Sequence, residues 1–237
     1  MDYRNVIEHG DQFYLPNLSI DIVIIGYDDG VLKCLLLKLQ DKWILPGGFI
    51  RRTESVDAAA SSILRERTGL SDPHLKFLEV FGNSNRHFGK EIQKFAREQG
   101  LDWHAENWIN NRFVTLAYYS LVDINHTQPV LGDIDEDYGW FRFDSLPNMW
   151  MDHAPIVAKA RERLKEDIKH EHMTFELLPE KFTMPELHQL HQVILEENID
   201  RSRFQKKMLS TNMFERLPTK QRDTPGRNPY QYRVKQA

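Results

Sequence analysis

Cysteine is almost missing from this chain of 237 residues. The one that occurs, Cys34, lies in the apolar run 31–39 and is expected to be a buried thiol. A lone cysteine excludes an intrachain disulfide framework and a cysteine metal site. Long apolar runs are missing too. None approaches the ~20 residues a helical membrane span needs, and the longest, Ile20 to Gly26, is the length of a strand and contains Asp21. The opening MDYRNVIEHGDQ is charged and has no apolar core of an export signal. These absences lead to the expectation of a cytoplasmic protein with no membrane partner. The histidines show no diagnostic ligand spacing: His87, His104 and Glu106 are too irregularly placed to read as a metal site.

What is present is unevenly charged. Residues 199–237 hold ten Lys/Arg against three acids, a balance of +7. The whole chain stands at −4, so residues 1–198 carry −11. A basic end on an acidic body suggests a polyanionic partner for that end alone.

The first part of the chain reads as alternating strands and helices. LSIDIVIIG (18–26), the turn residues Tyr27–Gly30 and the run 31–39 form a hairpin pattern. Trp43–Leu45 is a short strand that leads into Pro46-Gly47-Gly48. A helix is expected over Ser55–Thr68, with Thr53 or Ser55 as N-cap, Asp57 at the positive end of the dipole and Gly69 as the stop. Its apolar stripe is Val56, Ala59, Ala60, Ile63 and Leu64. Further strands are expected at 75–81, 112–122 and 138–143, and a short helix at 90–99. The connection 82–111 concentrates Arg86, His87, Trp103, His104, Glu106 and Trp108 ahead of Arg112, as a ligand-covering lobe or a packed insertion would. A helix capped by Asp152 follows, with Ile156, Val157, Ala160, Leu164 and Ile168 on one face.

Near residues 169–172 the pattern changes, and the domain boundary is placed there. Thr183, Pro185 and Glu186 open a helix. A three-residue turn (197–199) and the N-cap Asp200 open a second, RSRFQKKMLS, with Phe204, Met208 and Leu209 expected to face inward. Two strand candidates, 214–217 and 230–234, flank a basic connection. Helix, tight turn, polar helix and basic ribbon make a winged helix-turn-helix pattern. Arg201, Ser202, Arg203, Gln205, Lys206 and Lys207 are suited to base edges and phosphates, and Arg227, Tyr230, Tyr232 and Arg233 to a wing along the backbone.

The stretch GGFIRRTESVDAAASSILRERTGL (47–70) resembles the Nudix box, G-x5-E-x7-R-E-U-x-E-E-x-G-U, where U is aliphatic. Gly48, Glu54, Leu64, Glu66, Gly69 and Leu70 fall on the frame. The metal-binding core does not, because Ser62, Ile63 and Arg67 replace the family's Arg, Glu and Glu. Carboxylates at i, i+3 and i+4 gather a divalent cation on one helix face, and here one of three is left, beside a cation. With FVTLAYYSLV, YGWFRFDSLP, LLPEKFTMPELHQLHQVI and IDRSRFQKKM, the chain is similar to the Nudix-related transcriptional regulators, the NrtR-like family. The resemblance implies a Nudix-like α/β/α sandwich (1–168) followed by a winged helix-turn-helix (173–237). It implies a homodimer on an operator in double-stranded DNA, with a vestigial box that senses a sugar, a sugar phosphate or an ADP-ribose-like nucleotide. It implies no cofactor and no catalytic residue. The ligand would be met by Arg51, Arg52 and Glu66 with Arg86, His87 and Arg112 from the long connection. The alternative is a Nudix hydrolase that cleaves ADP-ribose or a nucleotide-sugar diphosphate with Mg²⁺, recruiting Glu54, Glu66 and one of Asp135, Glu136 and Asp137.

Overall fold

The structure is a computed structural model and describes residues 3–70, 74–101, 103–171, 173–219 and 228–235. A helix, α1 (Tyr3–Phe13), precedes the long strand β1 (Tyr14–Asp28), which turns back into β2 (Val31–Leu39). Strands β3 (Lys42–Ile44) and β4 (Gly47–Arg51) lead into helix α2 (Val56–Thr68). After β5 (His74–Phe81), helix α3 (Gly89–Glu98) lies in the long connection before β6 (Val114–Leu121), β7 (Asp137–Arg142) and helix α4 (His153–His170). The seven strands form one mixed sheet with the path β3-β2-β1-β6-β5, where β4 also pairs with β1 and β7 with β2. β1 runs parallel to β6 and antiparallel to β2.

Alternation along β1 sorts the layers. Ile20, Ile22 and Ile24 point to one face and pack with Ala59, Ala60, Ile63 and Leu64 of α2. Val23 and Ile25 point to the other and pack with Ile156, Val157, Ala160 and Leu164 of α4. This is the expected sandwich, a helix on each face of the sheet. Asp21 shares the face of Val23, which is how a carboxylate comes to lie in the interior. Cys34 is fully buried, and burial pushes its thiol up to about 12, so it is inert.

α1 was not expected from the sequence. It holds Val6 and Ile7 against Trp108, Ile109 and Phe113, and the Trp108 indole donates to the Val6 carbonyl at 2.7 Å. The connection 82–111 is therefore a packed lobe with its own small core. A Cβ at Gly47 would stand 2.5 Å from the Ile20 carbonyl and 2.8 Å from Asp21 Oδ1, with no flexible group to yield. Gly47→Ala is expected to cost about 1–3 kcal/mol, read as a fall of several degrees in the thermal melt. An unchanged melt would show that β1 and β4 can separate freely.

Beyond α4 come β8 (Phe182–Thr183), α5 (Met184–Leu195), α6 (Arg201–Ser210), β9 (Phe214–Thr219) and β10 (Tyr230–Val234). The last three strands form a sheet in the order β8-β10-β9. One apolar cluster runs from Val23 and Leu36 of the large sheet through α4 to Leu187 and Leu190 of α5 and Phe204 and Met208 of α6. The two parts of the chain share a core.

Candidate functional site

The box builds a closed loop-helix-loop. Ser55 caps α2, its Oγ accepting from the Ala58 amide at 3.2 Å. Gly69 takes φ 70° and donates its amide to the Arg65 carbonyl at 2.9 Å, which ends the helix. Glu54 Oε1 accepts the Arg51 amide at 2.7 Å, so this carboxylate braces the loop. In front of α2 opens a cavity of about 420 Å³. Asn5, Val6 and Tyr14 form one wall, Gly47 and Arg51 a second, Ile63, Glu66 and Arg67 the floor, and Val130–Gly132 the rim.

A divalent cation does not fit that floor. Ile63 offers no ligand and is buried, and Glu66 is exposed. The Arg67 guanidinium stands where the third carboxylate belongs, its Nη1 2.5 Å from Asp135 Oδ2. The same oxygen accepts the Gly132 amide at 2.6 Å. Among the described residues, no group of three or more His, Cys, Asp or Glu could hold a metal. Of the other carboxylates a hydrolase might recruit, Glu136 pairs with Lys38 at 3.7 Å and Asp137 accepts the Tyr138 amide.

The expected ligand residues divide. Arg51 and Glu66 line the cavity. Arg52 is exposed and donates to the Asp11 carbonyl at 2.9 Å, tying the box to α1. His87 and Arg112 face each other in an isolated β-bridge away from the cavity, and Arg112 donates to the Gly82 carbonyl at 2.5 Å. Arg86 requires a correction. It is only 2% exposed. Its Nη2 lies 2.5 Å from Asp21 Oδ2, its Nε 3.0 Å from Asp152 Oδ1 and its Nη1 3.3 Å from Ser19 Oγ. Asp152 also differs from expectation. It stands at the N-cap of α4 but makes no side-chain cap bond, because its carboxylate serves Arg86.

His153 completes this buried cluster. Its Nδ1 accepts the Leu45 amide at 2.9 Å, so the ring proton sits on Nε2, 3.9 Å from Asp21 Oδ1. Burial holds the imidazole below its ordinary value of 6.5, against the opposing pull of Asp21. A depressed pKa in the fold means the unfolded chain takes the proton first. Stability is therefore full above 6.5 and is lost as pH falls below it, by up to about 1.4 kcal/mol per pH unit. His153→Asn keeps an acceptor for Leu45 and removes the titration. Its melting temperature should fall less steeply between pH 7.5 and 5.5, and a slope matching the parent would refute the assignment.

The winged segment is built as its caps predict. Thr183 and Glu186 form a complete capping box at α5. Glu196 takes φ 56° to close that helix, and Asp200 Oδ1 accepts the Arg203 amide at 2.7 Å to open α6. Phe204 and Met208 are buried. Arg201, Ser202, Arg203, Lys206 and Lys207 are exposed and Gln205 half-exposed, and no ion pair engages the four cations among the described residues. Leu209, expected inside, is 42% exposed. In the ribbon, the Arg216 guanidinium lies 3.3 Å from the centre of the Tyr230 ring. Arg233 pairs with Glu215 at 2.8 Å, and Tyr232 is buried, so neither is free to line a wing. Arg227 lies outside the described residues. The turn is tied to α4, where Arg161 and Lys165 both pair with Glu196.

A larger cavity of about 950 Å³ lies between the β5–β6 end of the sheet and the ribbon. Its wall mixes Glu176, Glu180 and Glu215 with Arg233 and Lys235. The box cavity is the better candidate, because its floor is the face of α2 that the motif points to.

Comparison with known proteins matches residues 16–160 to the NUDIX domain and residues 174–234 to the NrtR DNA-binding winged helix domain. The chain is 24% identical over 225 residues to the ADPR responsive transcriptional repressor NtrR of Acinetobacter baylyi, covering 91% of this chain and 80% of that protein. It is similar to Shewanella oneidensis NrtR solved with a 27mer DNA, at 25% identity and TM-score 0.70, over 92% of this chain and 93% of that one. A MutT/nudix family protein from Enterococcus faecalis shares the fold at 22% identity and TM-score 0.66, over 99% and 98%.

Proposed function

The chain belongs to the Nudix family, and from that premise we infer a DNA-binding transcriptional regulator whose Nudix-like domain (1–168) senses a small effector for a winged helix-turn-helix (173–237). The observation that carries this is the exposed cationic face of α6, held on the same apolar core as α4. The effector is ADP-ribose, by analogy with the ADPR responsive repressor of Acinetobacter. It occupies the cavity over α2, between Arg51, Glu66 and Arg67. One α6 per chain reads one half-site, so the working species is a homodimer, of about twice 28.0 kDa by sedimentation. It acts in the cytoplasm beside its operator; among the described residues no helix is long and apolar enough to cross a membrane.

The effector changes operator affinity through contacts that lead from cavity to reading head. Gly47 forms part of the cavity wall, and two residues before it the Leu45 amide is bonded to His153 in the first turn of α4. α4 grips Glu196 in the turn before α6. A ligand that shifts this α4 position in two linked copies changes the spacing of their α6 helices.

The test uses a fluorescent duplex that the protein itself selects from a random-sequence pool. Anisotropy should show tight binding that unlabelled random DNA does not compete away, and release on adding ADP-ribose. Binding equal to that of random DNA would overturn the regulator, and indifference to ADP-ribose would overturn the effector. With Mg²⁺ and ADP-ribose alone, turnover should stay far below the ~1 s⁻¹ and above of ordinary enzymes.

A further inference from the structure

The least accounted-for feature of the box cavity is the cation built into its floor. Arg67 is in the last turn of α2, one turn after Ile63, and is 8% exposed. A segment 68 residues on is shaped around it. The Gln128 amide donates to the Thr68 carbonyl, and the Val130 amide to that of Arg67 at 3.0 Å. Asp135 then accepts one guanidinium N–H. A Cβ at position 132 would stand 2.8 Å from Arg67 Nη1, so the loop closes directly over the guanidinium. Among the described residues this is the one side-chain bond Arg67 makes, and the guanidinium has five donors. Its remaining surface borders the box cavity and a smaller one of about 50 Å³ beside Gly48 and Ile134.

We propose that Arg67 replaces the divalent cation of this fold and binds the diphosphate of a nucleotide effector directly, so that effector binding needs no metal. The inference rests on the effector assigned above. Arginine suits the task, being permanently charged and planar, with paired donors that match phosphate oxygens. Asp135 balances the formal charge of Arg67 but engages only one of its five donors, through Oδ2, which anchors the guanidinium and leaves the other N–H groups for phosphate oxygens. Arg51 stands across the cavity as a second cation, while Glu66, exposed at the same floor, can accept the hydroxyls of a ribose. At the rim Val130 and Leu131 are 46% and 41% exposed, an apolar surface that a nucleobase would cover. A metal would bring this ligand's phosphates to a face of carboxylates. Here the positive charge is covalently part of the helix.

The experiment is calorimetric titration of ADP-ribose into the full chain, once with excess EDTA and once with millimolar Mg²⁺. Equal affinity in the two buffers is expected. The Arg67→Met, Asp135→Asn double variant leaves no buried carboxylate without a partner and should bind about 10- to 100-fold more weakly. Arg67→Lys keeps the charge in case the double variant fails to fold, and should bind between the two, still unaffected by EDTA. Binding that requires Mg²⁺ overturns the proposal and leaves ADP-ribose as effector. No binding in either buffer overturns both. A double variant that melts and binds like the parent removes Arg67 from the site.

Discussion

Arg201→Ala combined with Lys206→Ala is expected to cut specific operator binding sharply while leaving the melting temperature unchanged. Both side chains are exposed on α6 and carry no ion pair among the described residues. Removing them from the free protein costs little, since surface substitutions of this kind stay within about 0.5 kcal/mol. On DNA the loss is large. A base-edge contact contributes about 1–3 kcal/mol, and each lost phosphate contact lowers the salt slope of the affinity by about 0.9. Together the two substitutions should weaken binding at least thirtyfold and flatten the salt dependence by one to two units. Phe204→Ala gives the contrasting result. Phe204 is buried against His188 and His191, so its loss lowers the melt first and DNA binding only as a consequence. An Arg201/Lys206 variant with the parent's affinity and salt slope would remove α6 from the groove.

What the sequence made legible is local or periodic. α2 could be read from Ser55 at one end, Gly69 at the other and an apolar stripe between, because caps and stripes are decided within one helix. The capping box at Thr183 and the N-cap at Asp200 could be read for the same reason. The illegible parts depend on partners far along the chain. Arg67 looked like a defect in a metal site, and nothing near it announces Asp135. Val6, Ile7 and Gly10 share the near face of α1, but that face has meaning only once Trp108, 98 residues past Gly10, lies on it. Leu209 was placed inside by its apolar character. The turn that buries Phe204 and Met208 four residues apart carries position 209 a further 100° round the helix, toward solvent. Asp152 followed the capping rule in sequence, yet its carboxylate serves a buried cation, and Pro155 at the third helical position has no N–H to offer it.

Arg86 joins these two lines, and its removal should produce a large loss of stability. Arg86→Met takes away the guanidinium that lies between Asp21 of β1 and Asp152 at the N-cap of α4. Breaking a buried pair by deleting one partner costs about 3–5 kcal/mol, because an uncompensated charge stays in the interior. Replacing the whole cluster is milder, since no charge is then left in the interior and a neutral amide carries a smaller desolvation cost than a carboxylate. Arg86→Met with Asp21→Asn and Asp152→Asn should therefore recover most of the loss, and denaturant unfolding of the single and triple variants measures it directly. The same pair of proteins separates two roles for this residue. A ligand-binding arginine, the role its place in the long connection first suggested, would leave the melt alone and weaken the effector. A structural arginine lowers the melt of the single variant, while the triple variant regains both stability and effector affinity, because neither wall nor floor of the box cavity contains Arg86. If the triple variant is stable and still fails to bind ADP-ribose, the cluster acts on the ligand after all.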